Sequence, residues 1–216
     1  MPIVGVLSLQ GDFARHRASL EALGAEVRRV SLPRDLEGVD ALVIPGGEST
    51  TMARLMGATG LRAPVEVFVR ERPVLGTCAG LILLGREVEG LPLPSLGVLD
   101  VEVARNAYGR QIDSFQAEID VAPLGGRMAG VFIRAPRIGR VGPGVEVVAT
   151  LPSRDGAVAE PVGVRQGRVV GLCFHPELTP DLRLHRWFLA EVGGFRLGAA
   201  APAARHGRTR RPVEAA

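Results

Sequence analysis

Cys78 lies in the run Val74-Leu75-Gly76-Thr77-Cys78-Ala79-Gly80-Leu81-Ile82-Leu83-Leu84, where an apolar strand-like stretch meets a cysteine between two glycines and continues as an apolar helix-like stretch. That order is the pattern of a nucleophile elbow, and it points to covalent chemistry at sulfur. A sharp strand-to-helix turn leaves no room for side chains two residues either side of the nucleophile, which is a steric reason for Gly76 and Gly80. It also sets the sulfur at the amino end of the next helix, where free backbone N–H groups favour a thiolate and can hold an oxyanion. Ala79 N–H is one candidate donor. The same run would equally suit a buried structural cysteine, since free Cys is often internal.

A nucleophilic thiol needs a base, and the base needs an orienting group. Of the four histidines, His175 stands apart because it follows the apolar run Val169-Val170-Gly171-Leu172-Cys173-Phe174 and precedes Pro176-Glu177. Catalytic groups of open α/β sheets gather at the carboxyl ends of strands. Pro176 favours an extended conformation before it, so His175 and Glu177 can both point toward one site. Glu177 would accept from one imidazole nitrogen while the other faces sulfur, making Cys78, His175 and Glu177 a candidate triad. The competing reading of this stretch is a strand-end turn carrying a surface carboxylate. His16, early in the first helix, is open between facing the mouth of the sheet and an ordinary helical position. His185 is expected on the solvent side of the last helix, and His206 belongs to the tail. Cys173, His175 and Glu177 form the one tight cluster of metal-ligand types, without a clear further ligand, so no metal is expected.

Pro45-Gly46-Gly47-Glu48-Ser49-Thr50-Thr51 is a second glycine feature at a strand end. It lacks the spacing and the lysine of a P-loop, and it does not match the dinucleotide fingerprint, so no nucleotide cofactor is expected. Gly47 N–H could join Ala79 N–H in holding the negative charge of a tetrahedral intermediate, although a plain strand-to-helix turn explains the run as well.

The elements that must position these residues read as a mostly parallel α/β sheet with helices on both faces. Ile3–Leu9, Val27–Val30 and Asp40–Ile44 are apolar strands, and Phe13–Leu23 is an amphipathic helix stopped by Gly24. A helix capped by Ser49 or Thr50 carries Met52, Leu55 and Met56 inward, and Pro64–Arg70 is another. Near-continuously apolar strands alternating with helices indicate a parallel sheet covered on both sides. After about Glu87 the strands are shorter and separated by Gly, Pro and Asn: Val98–Val103, Glu118–Val121, Val131–Ile133, Val145–Thr150, Ala157–Val164 and Val169–Cys173. These suit antiparallel additions to the core. Asp181–Val192 is the closing helix.

At 216 residues the chain can bury one full core, and 46% hydrophobic with 23% charged residues is the balance of a folded soluble domain. No stretch is apolar for long enough to span a bilayer, and no leader is apparent. Two cysteines make no disulfide framework, so the expected location is cytoplasmic. Every cationic residue other than histidine is arginine. Most of the net charge of +3 comes from Arg205, Arg208, Arg210 and Arg211 near the end, so the folded part gives no reason to expect a nucleic-acid partner. Residues 1–197 are expected to form one domain, with a disordered Ala/Pro/Arg-rich tail over residues 198–216.

Taken together, these runs resemble the class I (triad) glutamine amidotransferases and, within them, the glutaminase subunits of bacterial pyridoxal 5′-phosphate synthases. The resemblance covers about residues 3–192. Its most specific pieces are Leu9-Gln10-Gly11, the Pro45 to Thr51 run, Gly76-Thr77-Cys78-Ala79-Gly80-Leu81, Arg105-Asn106 with Gly109-Arg110-Gln111 and Asp113-Ser114-Phe115, Phe132-Ile133-Arg134-Ala135-Pro136, and Phe174-His175-Pro176-Glu177-Leu178. It implies a three-layer flavodoxin-like fold and hydrolysis of L-glutamine to glutamate and ammonia through a cysteine thioester. The ammonia would pass to a separate pyridoxal 5′-phosphate synthase subunit, with no cofactor bound here.

By the same resemblance Cys78 is the nucleophile, His175 the base and Glu177 its orienting acid. Gly47, Glu48, Ser49, Arg105, Ile133 and Arg134 are glutamine-binding, and Gln10 and Glu48 couple the site to the partner. Two features depart from the family pattern: Arg15 stands where an acidic residue commonly precedes the histidine of the first helix, and the Arg-rich extension lies outside the usual core. A cysteine hydrolase or deglycase-like protein on a related sheet would use the same elbow, and a non-enzymatic scaffold is a further reading. The His175-Glu177 pair and the Gly46 to Thr50 loop favour amide transfer.

Overall fold

A computed structural model of the chain describes residues 1–105, 114–153 and 158–197. Asn106, the Gly109-Arg110-Gln111 run and Asp113 of the motif noted above lie outside these residues, as do Ala157, His206 and the tail from 198 onward.

The first half alternates strand and helix: β1 (Ile3–Leu7), α1 (Phe13–Ala22), β2 (Glu26–Val30), β3 (Ala41–Ile44), α2 (Ser49–Ala58), α3 (Arg62–Glu71), β4 (Val74–Thr77) and α4 (Ala79–Leu84). The second half is strand-rich: β5 (Gly85–Val88), β6 (Leu99–Ala104), β7 (Ser114–Val121), β8 (Gly126–Ile133), β9 (Arg137–Val141), β10 (Glu146–Leu151), β11 (Glu160–Gln166) and β12 (Val169–Leu172). It closes with α5 (Arg183–Trp187) and a π-helical turn over Phe188–Val192.

Nine strands form the main sheet in the order β2-β1-β3-β4-β12-β11-β10-β7-β8. The run from β2 to β12 is parallel throughout, and every pairing beyond β12 is antiparallel. The parallel part has the flavodoxin-like order, with the direction of winding reversing at β1. Because β-α-β crossovers are right-handed, stepping from β1 back to β2 and from β3 forward to β4 puts α1 and the α2/α3 pair on opposite faces. Strands covered on both faces must be apolar along their length, and β3 and β4 are fully buried at all four positions. The reversal also opens a crevice beyond the carboxyl ends of β1 and β3.

Several expectations change here. β6 is not an addition to the core sheet. It pairs with β5 and β9 in a separate three-stranded sheet. The choice of partner strand is a tertiary matter that local composition does not carry. β5 and β9 were not anticipated, because Arg86-Glu87 and Gly139-Arg140 dilute their apolar signal. The cap of α2 is Glu48, whose side chain accepts from Thr51 N–H, instead of Ser49 or Thr50. The last helix begins at Arg183, with Asp181 accepting from the Arg183 N–H at 3.0 Å, and widens after Trp187 so that Gly193 N–H reaches Phe188 O. Among the described residues no helix is long and apolar enough to cross a membrane.

Candidate active site

β4 ends at Thr77 and α4 starts at Ala79, so Cys78 alone makes the turn, at φ 48 and ψ −101. A non-glycine residue there is strained by roughly 1–3 kcal/mol, a conformation retained only where the surroundings enforce it. The enforcement is visible in the glycines. A Cβ on Gly76 would strike Leu84 and the Gly80 backbone, and one on Gly80 would run into the Ile44 carbonyl. The turn is thus packed backbone against backbone. Cys78 N–H donates to Leu172 O at 2.8 Å, extending the β4–β12 ladder and fixing the cysteine beside the strand that leads to His175.

His175 follows β12 at φ −110 and ψ 89, extended as the succeeding proline requires, and its N–H donates to Val131 O of β8. Its Nδ1 lies 2.7 Å from Glu177 Oε1. Both residues are buried, at 8% and 4% exposure. Burial pushes the imidazole pKa down, but the neighbouring Cys78 sulfur and the Glu177 carboxylate outweigh it and hold it up to about 10. Burial likewise works against the Glu177 charge, and the His16 and His175 side chains more than offset it, so the carboxyl stays well below its usual range. The Cys78 thiol donates to Ile133 O at 3.8 Å, at the end of β8.

Cys78, Ile133 and His175 face a cavity of about 360 Å³ at the carboxyl ends of β1, β3, β4 and β12. Its lining includes Gly11, Asp12, Gly46, Gly47, Glu48, Ser49, Cys78, Arg105, Ile133, Arg134 and His175. Parallel strands share one carboxyl edge, which is why runs distant in the chain converge there. Gly46 packs so closely on the His175 ring that a Cβ would collide with it, and a Cβ on Gly11 would collide with Gly46 O. Glu48 is held by the Thr51 hydroxyl and N–H, which lower its carboxyl pKa, with Arg105 adding to the effect at 3.8 Å. Arg105 also donates to Gly90 O and Thr50 Oγ1. Arg134 is exposed at the cavity wall with φ 43.

The structure thus brings together every glutamine-binding candidate with Cys78 and His175. Glu177 is behind His175 and does not line the cavity. Ala79 is buried at the first position of α4. Gln10 is exposed beside Gly11, outside the lining. His185 corrects the expectation of a solvent-facing position: it is fully buried, with Nε2 3.4 Å from His16 Nδ1. Its helix is amphipathic, but the side turned inward meets α1 and the segment after β12 instead of solvent. His16, left open by the sequence, is fully buried too; Gly46 and Gly11 join the site from runs already singled out, and Asp12 joins it without a signal of its own. Among the described residues no group of three or more His, Cys, Asp or Glu is arranged to hold a metal ion.

A model of the SNO glutamine amidotransferase family matches residues 6–193. The chain belongs to that family. It is 53% identical over 196 residues to pyridoxal 5′-phosphate synthase subunit PdxT of Deinococcus radiodurans, covering 88% of this chain and 97% of that protein. The protein of the same name from Thermus thermophilus is 51% identical over 194 residues, covering 88% and 98%. A crystal structure of a glutamine amidotransferase superposes with a TM-score of 0.81 at 49% identity, covering 89% of this chain and 99% of that one. PurLQS from Thermotoga maritima shares the fold at a TM-score of 0.64 and 18% identity.

Proposed function

We propose that this chain hydrolyses the side-chain amide of L-glutamine to glutamate and ammonia, with Cys78 as nucleophile, and delivers the ammonia to a separate synthase subunit making pyridoxal 5′-phosphate. The observation that carries the reading is a single cavity in which a strained Cys78 and a His175 backed by Glu177 at 2.7 Å face the Gly46 to Ser49 turn. Family membership supports the reaction class, and the names of the Deinococcus and Thermus relatives support the partner.

Sulfur attacks the amide carbon while the one proton shared by the Cys78–His175 pair sits on His175 Nε2. Charge then builds on the carbonyl oxygen, where Ala79 N–H and Gly47 N–H are the candidate donors. His175 returns the proton to the departing nitrogen, and the C–N bond breaks to release ammonia and leave a thioester. Water then gives a proton to His175 and its oxygen to the acyl carbon, and the C–S bond breaks to release glutamate and return sulfur to the pair that shares the His175 proton. Glu177 keeps Nδ1 as the donor nitrogen, so that Nε2 is the one free to exchange protons with sulfur and substrate. Arg105 and Arg134, on the cavity wall, are the candidate cations for the substrate carboxylate, and Glu48 and Ser49, on the same wall, are the further candidate glutamine-binding groups. Gln10, exposed at the rim beside Gly11, and Glu48 are the coupling points to the partner. A free thiol nucleophile suits a reducing cytoplasm.

Glutamate release from L-glutamine, measured for the chain alone and with its cognate synthase subunit, tests this reading, with Cys78→Ala as blank. Release that depends on the synthase and is lost in the variant is the expected result. Equal release by the blank, or none in either mixture, would remove it.

A further inference from the structure

Behind the His175-Glu177 pair stand three buried side chains that the steps above do not use: Thr77, His16 and His185. His16 and His185 are wholly enclosed. His16 Nε2 lies 3.4 Å from Glu177 Oε2 and 3.3 Å from Thr77 Oγ1, and His16 Nδ1 lies 3.4 Å from His185 Nε2. The two imidazoles meet edge to face, with centroids 5.6 Å apart. Four pieces of chain converge on this cluster: α1, the end of β4, the turn after β12, and α5.

We propose that His16 is a positioning residue for the acid of the triad: from Nε2 it holds the second oxygen of Glu177, so that the first stays on His175, and through Thr77 it ties that carboxylate to the strand end carrying Cys78. The proposal rests on the glutaminase reading and goes beyond it by adding a residue to that machinery.

Proton accounting supports the assignment. A carboxylate only accepts hydrogen bonds. His175 serves Oε1 from one side, while Oε2 is sealed from solvent and has no well-formed hydrogen bond of its own among the described residues; His16 Nε2 faces it at 3.4 Å. If His16 carries its proton on Nε2, that N–H is shared between Glu177 Oε2 and Thr77 Oγ1, both accepting, and Nδ1 is a bare acceptor that takes the Nε2–H of His185. His185 Nδ1 is then without hydrogen, and that is the atom found without a partner. A buried bare acceptor is tolerated more readily than an orphaned N–H. Donors therefore run one way, from His185 to His16 to Glu177. Burial holds the His185 pKa down to about 3, which keeps His185 in the neutral form this order requires. An apolar residue at position 16 would fill the space without the cost of burying an imidazole, so packing alone does not explain the choice.

The test is steady-state glutaminase kinetics of the complex with the cognate synthase subunit. It compares wild type, His16→Leu, His16→Asn, His16→Gln, Glu177→Ala and the double variant His16→Leu/Glu177→Ala. A Gln amide nitrogen falls near the Nε2 position and can still donate to Glu177, whereas an Asn amide falls near Nδ1 and cannot. Loss of a 3.4 Å contact to a buried charge, weaker than a full charged hydrogen bond, should cost about 5- to 10-fold in kcat for His16→Leu and His16→Asn, with KM little changed and most of the rate recovered in His16→Gln. In the Glu177→Ala background, His16→Leu should cost no more than about twofold, because the group it acts on is gone.

Equal losses in the Gln, Asn and Leu variants, or the same loss with and without the Glu177 carboxylate, would reduce His16 to packing and overturn the proposal. Wild-type kcat in a folded His16→Leu protein would do the same, and if that variant does not fold, the contrast between Asn and Gln decides. Alkylation of Cys78 by iodoacetamide needs no glutamine and should follow the same order of variants. A wild-type complex silent toward glutamine would therefore remove the glutaminase reading while the alkylation order still judges His16.

Discussion

Glu177→Gln separates charge from shape at the acid. His175 Nδ1 meets Glu177 Oε1 at 2.7 Å and His16 Nε2 meets Oε2 at 3.4 Å, both as donors, while an amide has one accepting oxygen. The shorter contact should keep that oxygen and turn the amide nitrogen toward His16. The His175 ring then stays in place, while the negative charge and the acceptor facing His16 are both lost. A hydrogen bond to a charged group contributes about 1.5–3 kcal/mol, so kcat should fall roughly 10- to 150-fold. The pH dependence should move too. Burial pulls the His175 pKa down and the Cys78 and Glu177 contributions hold it up to about 10, so removing the carboxylate charge lowers it. The Cys78–His175 pair must retain one proton for the leaving nitrogen, and the alkaline limb of kcat should therefore shift to lower pH. The assay is glutamate release across pH with glutamine and the cognate synthase subunit saturating. Wild-type kcat together with an unmoved alkaline limb would refute the role given to Glu177.

Cys78→Ala should abolish hydrolysis while changing unfolding free energy in urea by less than about 1 kcal/mol, and Cys78→Gly should be about 1 kcal/mol more stable than Cys78→Ala because it relieves the strain at φ 48. A glutamine-analogue electrophile should label Cys78 and spare Cys173, whose thiol is fully enclosed and pushed well up by burial, as mass spectrometry of tryptic peptides would show. Gly46→Ala drives a methyl group into the His175 ring and should lower kcat at least about tenfold. By contrast Gly57→Ala, inside α2 with open space at its Cβ, should stabilise by roughly 0.5–1 kcal/mol and leave kcat unchanged. His185 is neutral in the fold, with its pKa lowered from an ordinary 6.5 to about 3, so the unfolded chain binds a proton there that the folded one refuses. Stability should accordingly decline as pH falls through that window, and His185→Leu should flatten the decline in acid-titrated urea midpoints.

Much of the parallel half was legible because its signals are local and agree with one another. β3 and β4 read as buried strands from their continuous apolar runs, the elbow from Gly76 and Gly80 around Cys78, and the base from a histidine at a strand end before proline. The strand-rich half was less legible. Most of its strands were found, β5 and β9 excepted, but β6 left the main sheet to pair with those two, since short runs of similar composition do not name their partners. The cap of α2 was misplaced because Glu48, Ser49 and Thr50 all have side chains able to accept a hydrogen bond, and only the backbone path of the loop decides which one turns back.

The residue types at Cys78, His175 and Glu177, the glycines that let backbone pack on backbone, and the order of elements were all set by the sequence alone. The tertiary structure decided what lay between them. It brought the Gly46 turn onto the His175 ring, set Arg105 and Arg134 on the wall of one cavity, and buried His16 and His185 behind Glu177 where an amphipathic pattern had suggested solvent for His185. The reason is one of range. Periodicity and turn chemistry act over a few residues, whereas a buried polar cluster drawn from α1, β4, the turn after β12 and α5 exists only once the sheet order has brought positions 16, 77, 177 and 185 within hydrogen-bonding reach.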